Sequence, residues 1–366
     1  MSRVPLKPPT ILIATPLGKG GEGGIDRLMD ALRSELDTVS LRGMRVLFGT
    51  TRGRGPLWIA PLHLGAFLSR MIGLRLMKRC DLVHVNVASS GSTARKLAVM
   101  LVARALGIPY AVHLHGALYE QFYASLSPSR QRLIKRVFRN AARVIVLGEI
   151  WRTFAVETLS VLPERVAVLP NAVPTPVRVR VPDPHGVTRL LFLGRLGERK
   201  GSRILIQALS RLNDKAGWRA VLAGDGEIEE TRRAVARTGI EWRVEVPGWL
   251  DPDETATRIA ASDVLVLPSF AENLPMSVIE GMAAGLAIVA TPVGATPDIV
   301  KHGETGLLVP PGDVEALTVA LAQLIDDSAL RERLSEASVR LHREHLEIGA
   351  YARRLISLWR ETATCH

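Results

Sequence analysis

Cysteine is almost missing, with two residues, Cys80 and Cys365, in 366. A pair cannot build a disulfide framework or a four-thiolate zinc site, which fits a reducing compartment. Glycine (31) and proline (22) stay near average usage, so collagen-like and low-complexity classes are excluded. A long apolar run is also lacking. The most membrane-like stretch, Gly55–Ser69, contains Pro56, Pro61 and His63 and runs into Arg70. It falls short of the roughly 20 apolar residues that a span requires, so a surface-lying segment is the most it predicts. Met1–Thr10 carries Pro5, Pro8 and Pro9 and no apolar core before a small-residue cleavage site, so no signal peptide is expected.

Acidic residues are scarce in the front of the chain. Residues 1–171 hold 24 Lys+Arg against 10 Asp+Glu, a net of +14; the remainder holds 23 against 26, a net of −3, which together make the overall +11. Such asymmetry predicts one surface that meets an anion: nucleic acid, lipid headgroups or a phosphorylated substrate.

What is present throughout is alternation. Short apolar runs at Thr10–Thr15, Arg45–Gly49, Leu82–Val87, Tyr110–His115 and Val144–Leu147 are separated by helical patterns such as Ile25–Leu36 and Ser92–Leu106. Near-continuous apolar strands bounded by helices are what a parallel sheet covered on both faces requires. The proline-rich segment Pro170–Thr188 interrupts the pattern and reads as an interdomain linker. Alternation then restarts, with strands at Leu190–Gly194, Arg219–Gly224, Val244–Pro247, Val264–Pro268, Ala287–Thr291 and Gly306–Val309. The predicted fold is α/β, two doubly wound Rossmann-like domains (1–171 and 172–346) facing each other across a cleft. A terminal helix, 347–366, packs against either domain, with the first as the preferred choice.

Ligands of such sheets sit beyond the strands' carboxyl ends. After the first strand, Gly18-Lys19-Gly20-Gly21-Glu22-Gly23-Gly24 spells G-x-G-x-x-G. The second strand ends in Phe48-Gly49-Thr50-Thr51-Arg52 without the carboxylate that a dinucleotide ribose needs, so a general anion-approaching turn is the reading kept. In the second domain Arg195 and Lys200 flank a short loop ending at a helix N-terminus, an arrangement suited to a diphosphate. Pro268–Gly281 follows a strand; Pro275 suits a first helical turn, which leaves Glu272 in the preceding loop and Glu280 one turn in. Glu280 stands among Val278, Ile279, Met282 and Ala283, where a carboxylate needs donors such as sugar or ribose hydroxyls.

At these residues the chain resembles retaining glycosyltransferase family 4, whose members have the two-domain GT-B fold. Glu272 and Glu280 match its E-x7-E signature, and Gly194-Arg195, Lys200-Gly201, Gly224-Asp225-Gly226, Pro247-Gly248 and Gly294–Val309 follow in order. The first domain matches more weakly, at Gly23-Gly24, His113–Gly116 and Pro170-Asn171. The resemblance implies that Arg195 and Lys200 bind the donor diphosphate. It implies that Glu272 faces the donor sugar, assisted by backbone N–H groups of Asn273 and Leu274, and that Glu280 accepts from the ribose. Gly224, Asp225, Gly226, Pro247 and Gly248 would border the base beside Gly194, and Gly24 with Gly23 would approach the diphosphate. His115 would sit near the transferred sugar; His113, one pleat step away, is expected on the opposite face or deeper.

The implied reaction retains the anomeric configuration. As the sugar–diphosphate bond breaks, the ring gains oxocarbenium character and the leaving group gains the negative charge that Arg195 and Lys200 stabilise. Asp251-Pro252-Asp253 spells the D-x-D associated with metal-dependent transferases of another fold, but its place before a helix favours capping, so no metal and no cofactor are expected. Two basic stretches, Arg70–Arg79 and Arg130–Arg143, read as contacts with an anionic membrane surface. The second interleaves Leu133, Ile134, Val137 and Phe138; a solvated basic helix is its bland alternative. No nucleic-acid motif accompanies the charge. The expected function is transfer of a sugar from a UDP- or GDP-sugar to a lipid-linked or membrane-associated acceptor in surface polysaccharide biosynthesis. The expected location is the cytoplasm, peripheral on the inner face of the membrane. Alternatives are a soluble acceptor or a non-catalytic basic surface- or nucleic-acid-binding protein; the intact Arg195, Lys200, Glu272 and Glu280 argue against the last.

Overall fold

The computed structural model describes residues 8–21, 23–38, 44–178, 180, 183 and 185–364. The linker read over 170–188 lies partly outside them, as do residues 1–7, Glu22 of the glycine run and Cys365. The chain divides into two compact units: the first runs to Asn171 and takes back the segment from Ile348, and the second is Ala172–Glu347.

In the first unit the strands are β1 (Thr10–Thr15), β2 (Arg45–Thr50), β3 (Leu82–Val87), β4 (Tyr110–Leu114), β5 (Arg143–Val146) and β6 (Val166–Val168). They form one sheet in the order β2-β1-β3-β4-β5-β6, with every pair parallel. β1, β3 and β4 are buried along their whole length, as sheets covered on both faces demand. The connecting helices are α1 (Gly24–Thr38), α2 (Ala60–Leu76), α3 (Gly91–Ala105), α4 (Tyr119–Ala124), α5 (Pro128–Arg139) and α6 (Glu149–Thr153). The chain winds from β1 outward to β2, then returns to place β3 on β1's other side. The strand order therefore reverses between β1 and β3.

The second unit repeats this plan without repeating the sequence. Its strands are β7 (Thr188–Leu193), β8 (Trp218–Ala223), β9 (Val244–Gly248), β10 (Val264–Leu267), β11 (Ala287–Ala290) and β12 (Leu307–Leu308), ordered β12-β11-β10-β7-β8-β9 and parallel throughout. Its helices are α7 (Ser202–Arg211), α8 (Ile228–Arg237), α9 (Pro252–Ala260), α10 (Met276–Ala283), α11 (Thr296–Ile299), α12 (Val314–Asp326) and α13 (Ser328–Leu341). Here the reversal falls between β7 and β10. Asp313 and Asp327 begin α12 and α13 by accepting from Ala316 and Leu330 N–H, which satisfies amides the helix cannot. The last helix, α14 (Ile348–Thr364), packs in the first unit against α1 and β3, and its buried Trp359 donates Nε1–H to His84 Nδ1 at 3.1 Å.

Candidate active site

The reversal point of the second sheet brings together residues 72 positions apart. Lys200, in the loop after β7, sets Nζ 2.5 Å from Glu272 Oε1, in the loop after β10. Both side chains are largely shielded, at 13% and 7% exposure, so the pair sits where charge is expensive unless matched. Ser269 Oγ donates to the same carboxylate oxygen at 2.7 Å. Arg199 approaches Glu272 Oε2 at 3.9 Å and donates to Ala271 O at 3.1 Å. Arg195 does not share this partner: its exposed guanidinium pairs with Asp225 Oδ2 at 3.3 Å. The two cations read together from the sequence thus belong to separate ion pairs, because Arg195 leaves the strand toward the β8 loop and Lys200 turns back over Gly194.

Glycine makes this crowding feasible. A Cβ on Gly224 (φ +152°) would fall 1.9 Å from Gly194 O, and one on Gly226 (φ +101°) 2.4 Å from Leu196 O. The loops after β7 and β8 therefore touch backbone to backbone. Gly294 (φ +57°) presses equally hard on Glu272 O, and Ala295 N–H donates to Asn273 O at 2.7 Å, which clamps the Glu272–Leu274 segment from the β11 side. Asn273 and Leu274 are buried, and Glu280 is half-buried in α10. Pro247 and Gly248 close β9, where Gly248 O accepts from Gly224 N–H at 2.8 Å. Asp251 accepts from Glu254 N–H at 2.8 Å while Glu254 returns a bond to Asp251 N–H at 2.9 Å. The first aspartate of the D-x-D string thus forms a capping box with Glu254, and Asp253 lies in the first turn of α9.

In the first unit, His115 follows β4 and places Nε2 3.0 Å from Asn86 Oδ1. Asn86 Nδ2 donates to Ala14 O at 3.3 Å, so its oxygen faces the ring and His115 carries its proton on Nε2, leaving Nδ1 to accept. His113 is not on the opposite face: residues i and i+2 of a strand share a face, and the two rings stand 4.0 Å apart, with His113 deeper and fully buried. Burial keeps this group uncharged, pushing His84 down to about 4 and His115 to about 3, with His113 well below its ordinary value.

The glycine turn differs from its anion-receiving reading. Gly18 and Gly20 adopt positive φ, but the amides of Leu17 and Gly18 already donate to the buried Asp26 carboxylate at 3.0 Å, and Gly20 N–H donates to Asp30 at 2.6 Å. Gly23 and Gly24 lie at the start of α1. Asn86, Ser269, Lys96 and Asp26 are polar participants not singled out in the sequence; Asn86 and Lys96 carried a signal, a polar residue inside an otherwise apolar strand or helix stretch, whereas Ser269 in a loop and Asp26 in a helix's first turn carried none.

The two basic stretches separate. Residues Leu57–Leu76 form a continuous helical run, longer than the stretch read from the sequence and, by length and composition only, apolar enough to cross a membrane. It rests on its own unit through Ala60, Phe67 and Met71, and Arg70 Nη1 donates to Phe48 O at 2.9 Å. Trp58 (76%), Leu62 (71%) and Leu76 (78%) project outward. The apolar residues of α5 do the reverse: Ile134, Val137 and Phe138 are core, so that helix offers outward charge and little else besides Leu133.

Two doubly wound units with reversal-point loops of this kind have the architecture of the GT-B fold. Residues 15–172 match the family described as glycosyl transferase 4-like domain, and 187–327 match glycosyl transferases group 1. The chain is similar to 2-deoxystreptamine glucosyltransferase of Streptomyces kanamyceticus, 30% identical over 81% of this chain and 82% of that protein. It is similar to the lipopolysaccharide core biosynthesis glycosyltransferase LpsE of Rhizobium meliloti, 35% identical over 43% of this chain and 46% of that one. The crystal structure of Anabaena HepE with UDP-glucose has the same fold, with a TM-score of 0.74 at 20% identity, covering 96% and 99% of the two chains. The chain belongs to this group 1 family and is a glycosyltransferase of glycoconjugate biosynthesis.

Proposed function

We propose that the chain transfers a sugar from a UDP- or GDP-sugar, with retention of configuration and without a metal, to a lipid-linked acceptor at an anionic membrane surface on the cytoplasmic side. The observation that carries the reading is the Lys200–Glu272 pair at the reversal point of the second sheet. An ammonium has three donors, so Lys200 can hold Glu272 with one and a phosphate oxygen with another. With Arg195 it would oppose the charge that grows on the departing nucleotide, where electrostatic stabilisation acts most strongly. Glu272, held by Ser269, would face the donor sugar, with the Asn273 and Leu274 amides beside it. Glu280 would hold the ribose. The loops Gly224–Gly226 and Pro247–Gly248 would flank the base, Gly194 would lie under the diphosphate, and Gly23 and Gly24 would approach it. His115, neutral and with a fixed tautomer, would contact the transferred sugar through its Nδ1 side.

The outward Trp58, Leu62 and Leu76, next to Arg70, Arg75, Lys78 and Arg79, support membrane contact, since basic residues around an apolar helix face suit anionic lipid. A soluble aminated acceptor, such as the name of the 2-deoxystreptamine glucosyltransferase relative indicates for that protein, is the second reading; the net +14 over residues 1–171 opposes a cationic acceptor. Screening UDP- and GDP-sugars for thermal stabilisation identifies the donor, because a ligand at about 100 times its Kd adds about 2.7 kcal/mol. NMR of the product from an α-linked donor then tests the stereochemistry: an inverted linkage, or stabilisation by no nucleotide-sugar, refutes the proposal.

A further inference from the structure

The reversal point of the first sheet holds a group of cations that the donor chemistry does not use. Lys96, on α3, is 1% exposed, and its ammonium reaches Ala14 O at 3.5 Å, Thr15 O at 3.4 Å and Thr51 Oγ1. Thr51 is itself buried and donates to Thr15 O at 2.8 Å. Next to these two residues in the chain come Arg95, before Lys96, and Arg52, after Thr51, close enough for their charges to repel. Both side chains are half-buried, both Nε atoms are enclosed without a hydrogen-bond partner, and among the described residues neither guanidinium forms an ion pair. The nearby carboxylate, Asp26, already accepts from the Leu17 and Gly18 amides. Three cations against one carboxylate leave an excess of positive charge where solvent screening is reduced.

From this geometry we infer that Arg52 and Arg95 bind a phosphate group of the acceptor, with Lys96 behind Thr51 supplying a positive field. The inference rests on the transferase reading and extends it by giving the acceptor's chemical class. A guanidinium takes phosphate oxygens in pairs, and two guanidiniums that repel one another when empty attract once a dianion lies between them. The electrostatics agree. Burial and the neighbouring Arg95 push Lys96 down to about 7, so that it is partly neutral when the site is empty and a bound anion would restore its full charge; burial together with Arg52 lowers Arg95, as expected of cations lacking a counter-charge. The site occupies the carboxyl ends of β1 and β3, where an open α/β sheet takes its ligand. The network also leads to the sugar-facing histidine: Ala14 O is shared by Lys96 and Asn86, and Asn86 holds His115.

The test is calorimetric titration of the full chain with inorganic phosphate and pyrophosphate, with UDP saturating so that the donor site is filled. Arg52→Gln with Arg95→Gln should weaken phosphate binding by about tenfold or more while UDP affinity stays the same, and Arg52→Lys with Arg95→Lys should keep part of it. Unchanged phosphate affinity in the glutamine variant overturns the inference; so does an equal loss of UDP and phosphate binding, which would make the arginines part of the donor site. If the parent chain binds no nucleotide, the transferase reading fails, and the same titration on Lys200→Ala still decides the anion site. Vesicles of phosphatidylcholine with and without phosphatidic acid separate the sources. Weaker binding of the glutamine variant to the phosphatidic acid vesicles supports a lipid phosphate, and loss confined to soluble phosphate supports a sugar phosphate.

Discussion

Replacing Lys200 with alanine separates what the Lys200–Glu272 pair does for stability from what it does for turnover. Removing one member of a shielded pair leaves the other charge uncompensated, at about 3–5 kcal/mol. Ser269 Oγ still donates to Glu272 Oε1 and the half-exposed Arg199 still stands 3.9 Å from Oε2, so the charge is not fully stranded and the lower end applies. At about 2–4 °C per kcal/mol for a unit of this size, the transition of the second unit should fall by about 6–12 °C. Turnover should fall further than stability explains: loss of one donor at a developing negative charge costs about 10²–10³. Lys200→Met combined with Glu272→Gln removes both charges, and with no charge stranded the melting temperature should recover. Turnover should not. The assay is nucleotide release measured well below the melting point, paired with calorimetry on each variant. Near-parental turnover in Lys200→Ala, or recovery of both stability and turnover in the double variant, would show that the lysine only neutralises a structural carboxylate.

Asn86→Ala should lower kcat by about tenfold with a smaller effect on KM, because His115 loses the bond that sets its tautomer; equal activity would remove Asn86 from the machinery. Chelation with EDTA should leave turnover unchanged, since Asp251 is occupied in a helix cap with Glu254; inhibition reversed by added metal would contradict this. Trp58→Ser with Leu62→Ser should abolish binding to anionic vesicles at all salt concentrations. Charge reversal at Arg132, Lys135 and Arg136 should reduce it only at low salt, because α5 presents charge without an insertable face. Acid should loosen the first unit. Below 6.5 the unfolded chain takes up protons that the buried His84 and the half-buried His115, at about 4 and 3, refuse, so stability falls as pH drops from 6.5 toward 4. A melting temperature flat across that interval would mean these histidines are not held neutral.

The strands were legible because a sheet covered on both faces needs apolar residues at nearly every position; Thr10–Thr15 and Leu82–Val87 have the predicted bounds. The E-x7-E spacing was legible because a loop and the helix after it preserve local order. β6 was not legible, being only three residues, Val166–Val168, between an irregular turn and prolines.

Side-chain partners were not legible. Local pattern dictated which segments become strand or helix, and composition alone gave the front half its excess of Lys and Arg. Folding alone decided that Lys200 would meet Glu272 while Arg195 went to Asp225, and that Lys96 would reach Thr51. It also decided which basic helix would keep its apolar face for the core and which would show it outward. These pairings depend on where parallel crossovers return the chain beside a distant strand, a geometry on which residues 72 or 45 positions apart carry no mutual signal.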